Sequence, residues 1–166
     1  MKIEDKIPYY YGYVFYFDSS ALVKLYAEEN GTDLVREIRQ QKDTVIFLSD
    51  IAVVEFGATL ARKLRERIIT EDEYTTMVDD FMDDYMLEYT KVEINIDVLS
   101  LAVKLAKKNA LKAYDAVQLA CAIKVRSEIE VKENMVEIAF VVADKTLEKA
   151  AQVEGFITIN PETFSR

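Results

Sequence analysis

Apolar positions along the chain fall into two alternating kinds of run. Short, continuously apolar stretches rich in aromatic and β-branched residues occur at Tyr13–Phe17, Val45–Leu48 and Ile138–Ala143. Weaker ones stand at Lys91–Asn95 and Phe156–Ile159. Runs of this length and make-up predict strands buried on both faces. Between them, apolar residues recur at three- and four-residue spacing, which predicts amphipathic helices. Ala21, Leu22, Leu25 and Tyr26 predict a short helix ending near Gly31; Leu34, Val35 and Ile38 predict a second, capped by Thr32 or Asp33. Ser49 or Asp50 caps a long helix to about Arg67, apolar nearly all round at first. Thr70 and Glu73 have capping-box spacing and open a helix carrying Tyr74, Met77, Val78, Phe81, Met82 and Tyr85. Further helices are predicted from Asp97, from about Ala113 to Val125, and from Thr146 to Val153; Ser127–Val136 reads as a loop or helix extension.

Strands alternating with helices predict an α/β fold: a three-layer sandwich, its central parallel sheet covered by helices on both faces. Such sheets bind ligands at the carboxyl ends of their strands, where the winding reverses. No Pro/Gly-rich linker divides the chain, so residues 13–166 are expected to form one domain, with residues 1–12 a tyrosine-rich extension. No run reaches the ~18 apolar residues a membrane helix needs. The opening MKIEDKIPYYYGY mixes acids with lysines and lacks a long apolar run, so no signal peptide and a cytoplasmic location are expected.

Residue usage narrows the chemistry. With no His and one Cys, the chain has neither imidazole catalysis nor a Cys/His metal cluster. Cys121, inside LACAI, reads as a small buried hydrophobe. A net charge of −9 argues against wholesale nucleic-acid binding, but carboxylates gathered in one place recruit cations that can face phosphate.

Acids stand where the fold would put a site. Asp18 follows the first strand and Asp144 follows IAFVVA. An Asp after a strand also serves as the N-cap of the next helix, so each alone has two readings. Glu55, in IAVVEFGATLA, is expected to face protein rather than water, which calls for a basic partner or a bound cation. Asp115, in AYDAVQLACAI, sits in the first turn of an apolar helix, where the helix dipole alone would favour it. As a set, four acids beside buried elements suit a hard, oxygen-ligated ion such as Mg²⁺ or Mn²⁺.

FDSSALVKLYAEENG, SDIAVVEFGATLARKL, ALKAYDAVQLACAI and FVVADKTLEKAAQVEG with a terminal TINP, in that order, resemble the PIN-domain family, most closely its VapC-type toxin branch. The resemblance runs from about Val14 to Pro161. It implies a sheet of order 3-2-1-4-5, metal ligands at Asp18, Glu55, Asp115 and Asp144, and an assisting hydroxyl at Ser19. It further implies Mg²⁺- or Mn²⁺-dependent cleavage of RNA leaving 5′-phosphate and 3′-hydroxyl ends, a homodimer, and a cognate antitoxin whose tail enters the acidic groove. Gln118 departs from the pattern, standing where many relatives carry His. Lys24, Arg62, Lys63, Arg65, Lys104, Lys107, Lys108 and Lys112 are candidates for a phosphate-facing rim, or simply solvated helix faces. A catalytically idle PIN-like module that binds RNA or protein is the alternative. An aspartyl phosphatase is disfavoured by Ser20, where a second Asp would be needed, and a phospho-receiver domain by Lys145, which follows Asp144 rather than ending a strand of its own.

Overall fold

The computed structural model describes residues 14–132 and 137–163; the expected N-terminal extension lies outside them. Strands β1 (Val14–Phe17), β2 (Val45–Ser49), β3 (Thr90–Val92), β4 (Ile138–Val141) and β5 (Ile157–Ile159) form one parallel sheet of order β3-β2-β1-β4-β5. The interleaved helices are α1 (Ser19–Leu22, continuing as a 3₁₀ turn at Val23–Leu25), α2 (Thr32–Gln40), α3 (Ile51–Arg65), α4 (Glu71–Leu87), α5 (Ile96–Asn109), α6 (Ala113–Lys132) and α7 (Lys145–Val153). No helix among the described residues is long and apolar enough to cross a membrane.

The sheet is apolar on both faces because both are covered. Phe15, Phe17, Leu48 and Val141 join the core beneath α1–α4, while Tyr16, Phe140 and Val142 join the one beneath α5–α7. Successive strand residues point to opposite faces, so an unbroken apolar run is what a doubly covered strand requires. Each fully buried side chain, such as Phe56 under α3, contributes roughly 1.5–3 kcal/mol relative to exposure. Cys121 is buried in the second core, and burial pushes its thiol up to about 11, as a packing residue requires.

Four local expectations are corrected. The first helix ends early at Leu25; Gly31 instead caps α2 from the left-handed region (φ 92°), in place of Thr32 or Asp33. A Cβ there would lie 2.7 Å from the backbone of Pro161, so only glycine fits. β3 stops at Val92 rather than Asn95, because the Asn95 side chain accepts from the backbone N–H groups of Asp97 and Val98 and starts α5. Helix α6 continues past Val125 to Lys132, the helix extension that is one of the two readings of Ser127–Val136. Finally, α3 is not buried all round: Ala52, Phe56 and Leu60 form one buried stripe, while Val54 is 58% exposed. The capping box at Thr70 and Glu73 is present as expected, and α4 packs inward through Phe81 and Tyr85.

Candidate active site

The winding reverses between β1 and β4. From β1 the chain steps outward to β2 and β3, then returns to lay β4 on the other side of β1. A cleft of about 370 Å³ opens at the carboxyl ends of these two strands, and Asp18, Ser19, Glu55, Asp115 and Asp144 all line it. All five expected residues therefore meet, although they come from three helices and two strand ends.

Asp18 ends β1, its backbone N–H still bonded to Val141 O on β4 at 3.0 Å. Its carboxylate caps α1: Oδ2 accepts from Ser20 N (2.9 Å) and Ser20 Oγ (2.5 Å). Ser20 Oγ in turn accepts from Ala143 N (2.9 Å) and Asp144 N (3.3 Å), tying the loop after β4 to the acid after β1. Asp144 Oδ1 accepts from Thr146 N and Leu147 N and caps α7. The two readings of these aspartates are thus compatible: each caps a helix and also faces the cleft.

Glu55 is half-buried on α3, not enclosed as expected, since only one stripe of that helix meets the core. Its Oε2 accepts from Ser19 Oγ and Gln118 Nε2, both at 2.5 Å. Asp115, half-buried in the first turn of α6, completes the set.

The acids sense one another. Burial, aided by the charges of Glu55 and Asp115 and opposed by the Ser20 hydrogen bonds, pushes Asp18 up to about 7. Burial, then the charges of Asp144 and Glu55, raise Asp115 against the pull of Lys112. Cations also line the cleft. Lys24, 2% exposed, is held by Glu29 (3.0 Å) and Glu162 (2.8 Å), and Lys63 also pairs with Glu29. Arg62, two turns along α3 from Glu55, lines the cleft with no carboxylate partner among the described residues. Of the rim candidates, Lys24, Lys63 and Lys108 are therefore committed to glutamates, and Arg62, which lines the cleft, is available.

Among the described residues, no three acidic side chains converge closely enough, as they lie, to hold one ion between them. The donor set still suits a hydrated divalent cation. All its donors are oxygens, and Asp18, Glu55 and Asp144 each engage one carboxylate oxygen and, among the described residues, keep the other clear of hydrogen bonds. Mg²⁺ keeps several waters and needs only one or two direct carboxylates.

The sequence model of the PIN domain matches residues 15–152. The chain belongs to the PIN-domain family. Over 110 residues this PIN domain is 36% identical to Ribonuclease VapC45 of Mycobacterium tuberculosis (strain CDC 1551 / Oshkosh), covering 66% of the chain and 75% of the relative. Its fold is similar to the crystal structure of FitAcB from Neisseria gonorrhoeae, with a TM-score of 0.62 at 14% identity over 91% of this chain and 100% of that one. It is also similar to VapBC2 from Rickettsia felis bound to a DNA fragment from their promoter, with a TM-score of 0.56 at 10% identity over 89% and 98%.

Within the PIN domain, sequence reasoning treats Ser49 only as a helix-cap candidate, Ser20 only as an argument against a phosphatase and Gln118 only as a departure. In the fold Asp50 is the N-cap of α3, Ser49 Oγ donates to Gln118, and Ser20 Oγ donates to Asp18. Gln118 is the more legible of these. A fully buried amide in an apolar helix invites the same question that singled out Glu55.

Proposed function

We propose that this PIN domain is a metal-dependent endoribonuclease, the toxin of a type II toxin–antitoxin pair. The observation that carries the reading is the meeting of Asp18, Glu55, Asp115 and Asp144 in one cleft at the winding reversal. The similarity to a protein named a ribonuclease supports it, and the likeness to VapBC2 supports a protein partner.

Asp18, Asp115 and Asp144, with Glu55, would hold Mg²⁺ or Mn²⁺. The ion, when bound, would polarise the scissile phosphate and acidify a water for in-line attack. The chain's own residues do the rest. Ser20 fixes Asp18 relative to the loop that carries Asp144. Ser19, donating its proton to Glu55, positions that carboxylate rather than serving as a free donor to substrate. Arg62 offers a planar, permanently charged fork to a neighbouring phosphate. The same acidic cleft would accept a basic side chain from an antitoxin tail. Ile96, Leu99 and Val103 form an exposed apolar stripe on α5 that would suit a second copy in a homodimer.

The idle-module alternative draws on one observation, that no three acids converge on a point. One assay separates the two: purified protein and Asp144→Asn, incubated with a panel of structured RNAs in Mg²⁺, Mn²⁺ or EDTA. The nuclease reading expects cutting by the unsubstituted chain with metal and none from the variant or in EDTA; undiminished cutting by Asp144→Asn defeats it. Expression should arrest growth of a bacterial host until the neighbouring small gene is co-expressed, and an unaffected host defeats the toxin assignment.

A further inference from the structure

Gln118 lies in α6 with no exposed surface, among Ala116, Leu119, Ala120 and Cys121. Every polar atom of its side chain is engaged. Oε1 accepts from Tyr16 Oη (2.6 Å) and Ser49 Oγ (2.9 Å), and Nε2 donates to Ser19 Oγ (3.0 Å) and Glu55 Oε2 (2.5 Å). Chemistry fixes the amide's orientation. Reversed, it would aim a carbonyl oxygen at the Glu55 carboxylate, two acceptors with no proton between them, while the Tyr16 and Ser49 hydroxyls, which can donate or accept, are satisfied by donating to Oε1.

This amide joins layers that the sheet otherwise separates. Helix α3 packs on one face with Phe15 and Phe17, and α6 on the other with Tyr16 and Phe140. Gln118 reaches from α6, past the end of β2 at Ser49, to a carboxylate on α3. A core needing only volume would take leucine or methionine here and bury no amide or hydroxyl at all. The polar network instead ends at Glu55. With two donors converging on Oε2, the carboxylate is held in one orientation and Oε1 is the oxygen left for the cleft.

We infer that Gln118 is a positioning residue for cleavage: through its own amide and through Ser19 it holds Glu55 in the orientation the metal and its water require. This rests on the ribonuclease reading above and adds a residue to it. Gln118 touches neither RNA nor the cleft surface, so it acts on turnover and on metal retention, not on substrate grip.

The test uses the full chain and Gln118→Met, which keeps length and volume and removes both polar atoms. Steady-state cleavage of an RNA oligonucleotide in Mn²⁺ is measured beside Mn²⁺ titration by calorimetry. The expected result is a fall in kcat of at least tenfold with KM within threefold, and Mn²⁺ affinity weakened severalfold. A control of matched melting temperature, Leu105→Ala in the α5 core, keeps its kcat; equal loss in that control overturns the inference by making the effect one of general destabilisation. Equal kcat, or equal Mn²⁺ affinity, in Gln118→Met and the unsubstituted chain also overturns it. If Gln118→Met does not fold, Ser49→Ala decides. That variant leaves the amide in place with one donor fewer on Oε1, so a fall in kcat of threefold or more at unchanged KM supports the role and an unchanged kcat removes it. Failure of the ribonuclease reading looks different: the unsubstituted chain does not cut, or cuts no better than Asp144→Asn, and the Mn²⁺ titration alone then judges Gln118.

Discussion

Replacing Asp18 with Asn keeps the shape of the side chain and removes its charge, which makes it a direct probe of what gathering the acids costs. Asp18 is 4% exposed and pushed up to about 7 from its ordinary 3.8, by burial and by Glu55 and Asp115. Between about pH 4 and pH 7 the folded chain therefore holds a proton on Asp18 that the unfolded chain has lost. Stability from this group is complete below pH 4, falls as pH rises through 7, and is flat above. A gap of about three pKa units at 1.36 kcal/mol per unit sets an upper figure near 4 kcal/mol. Allowing for relaxation around the charge, Asp18→Asn should be more stable than the unsubstituted chain at pH 8 by on the order of 2–4 kcal/mol. For a chain of this size that is a melting-temperature rise of roughly 5–15 °C. The difference should vanish near pH 4. Mn²⁺ at about 100 times its Kd should return roughly 2.7 kcal/mol to the unsubstituted chain and much less to the variant. Melting curves at pH 4, 6 and 8, each with Mn²⁺ and with EDTA, measure all of this. If Asp18→Asn is less stable at pH 8, or if Mn²⁺ stabilises both proteins equally, the acids are not a strained cation site and the reasoning fails.

Arg62→Gln should raise KM for RNA while largely sparing kcat, and should flatten the salt dependence of binding by about 0.7 in log–log slope, read by fluorescence anisotropy. Gly31→Ala forces an L side chain into φ 92° and against Pro161, so it should cost on the order of 1–3 kcal/mol in urea denaturation. Thr70→Ala removes one half of the capping box that opens α4 and should cost about 1 kcal/mol in the same measurement, with RNA cleavage unchanged.

Strand positions were readable because covering both faces of a strand leaves a continuous apolar run that few other environments tolerate; YVFYF and IAFVV are such runs. Boundaries were less readable where a side chain competes for backbone groups. Asn95 is compatible with extending β3 until its oxygen is seen capping α5. Surface composition misled at α3, whose Val54 and Ala58 look like core yet face outward, because a helix can bury only the stripe its neighbours cover. Glu55 was singled out from a premise of near-complete burial that did not hold, but it does line the cleft.

Local order in the chain was enough to specify alternating strands and helices and which acids flank buried elements, since each of these depends on residues within a turn or two of one another. The meeting of Asp18, Glu55, Asp115 and Asp144 depends instead on contacts between residues far apart in the chain. So does the role of Gln118, whose four partners come from β1, β2, α1 and α3. A buried amide acquires its meaning from where its hydrogen bonds end, and only packing across the sheet fixes that.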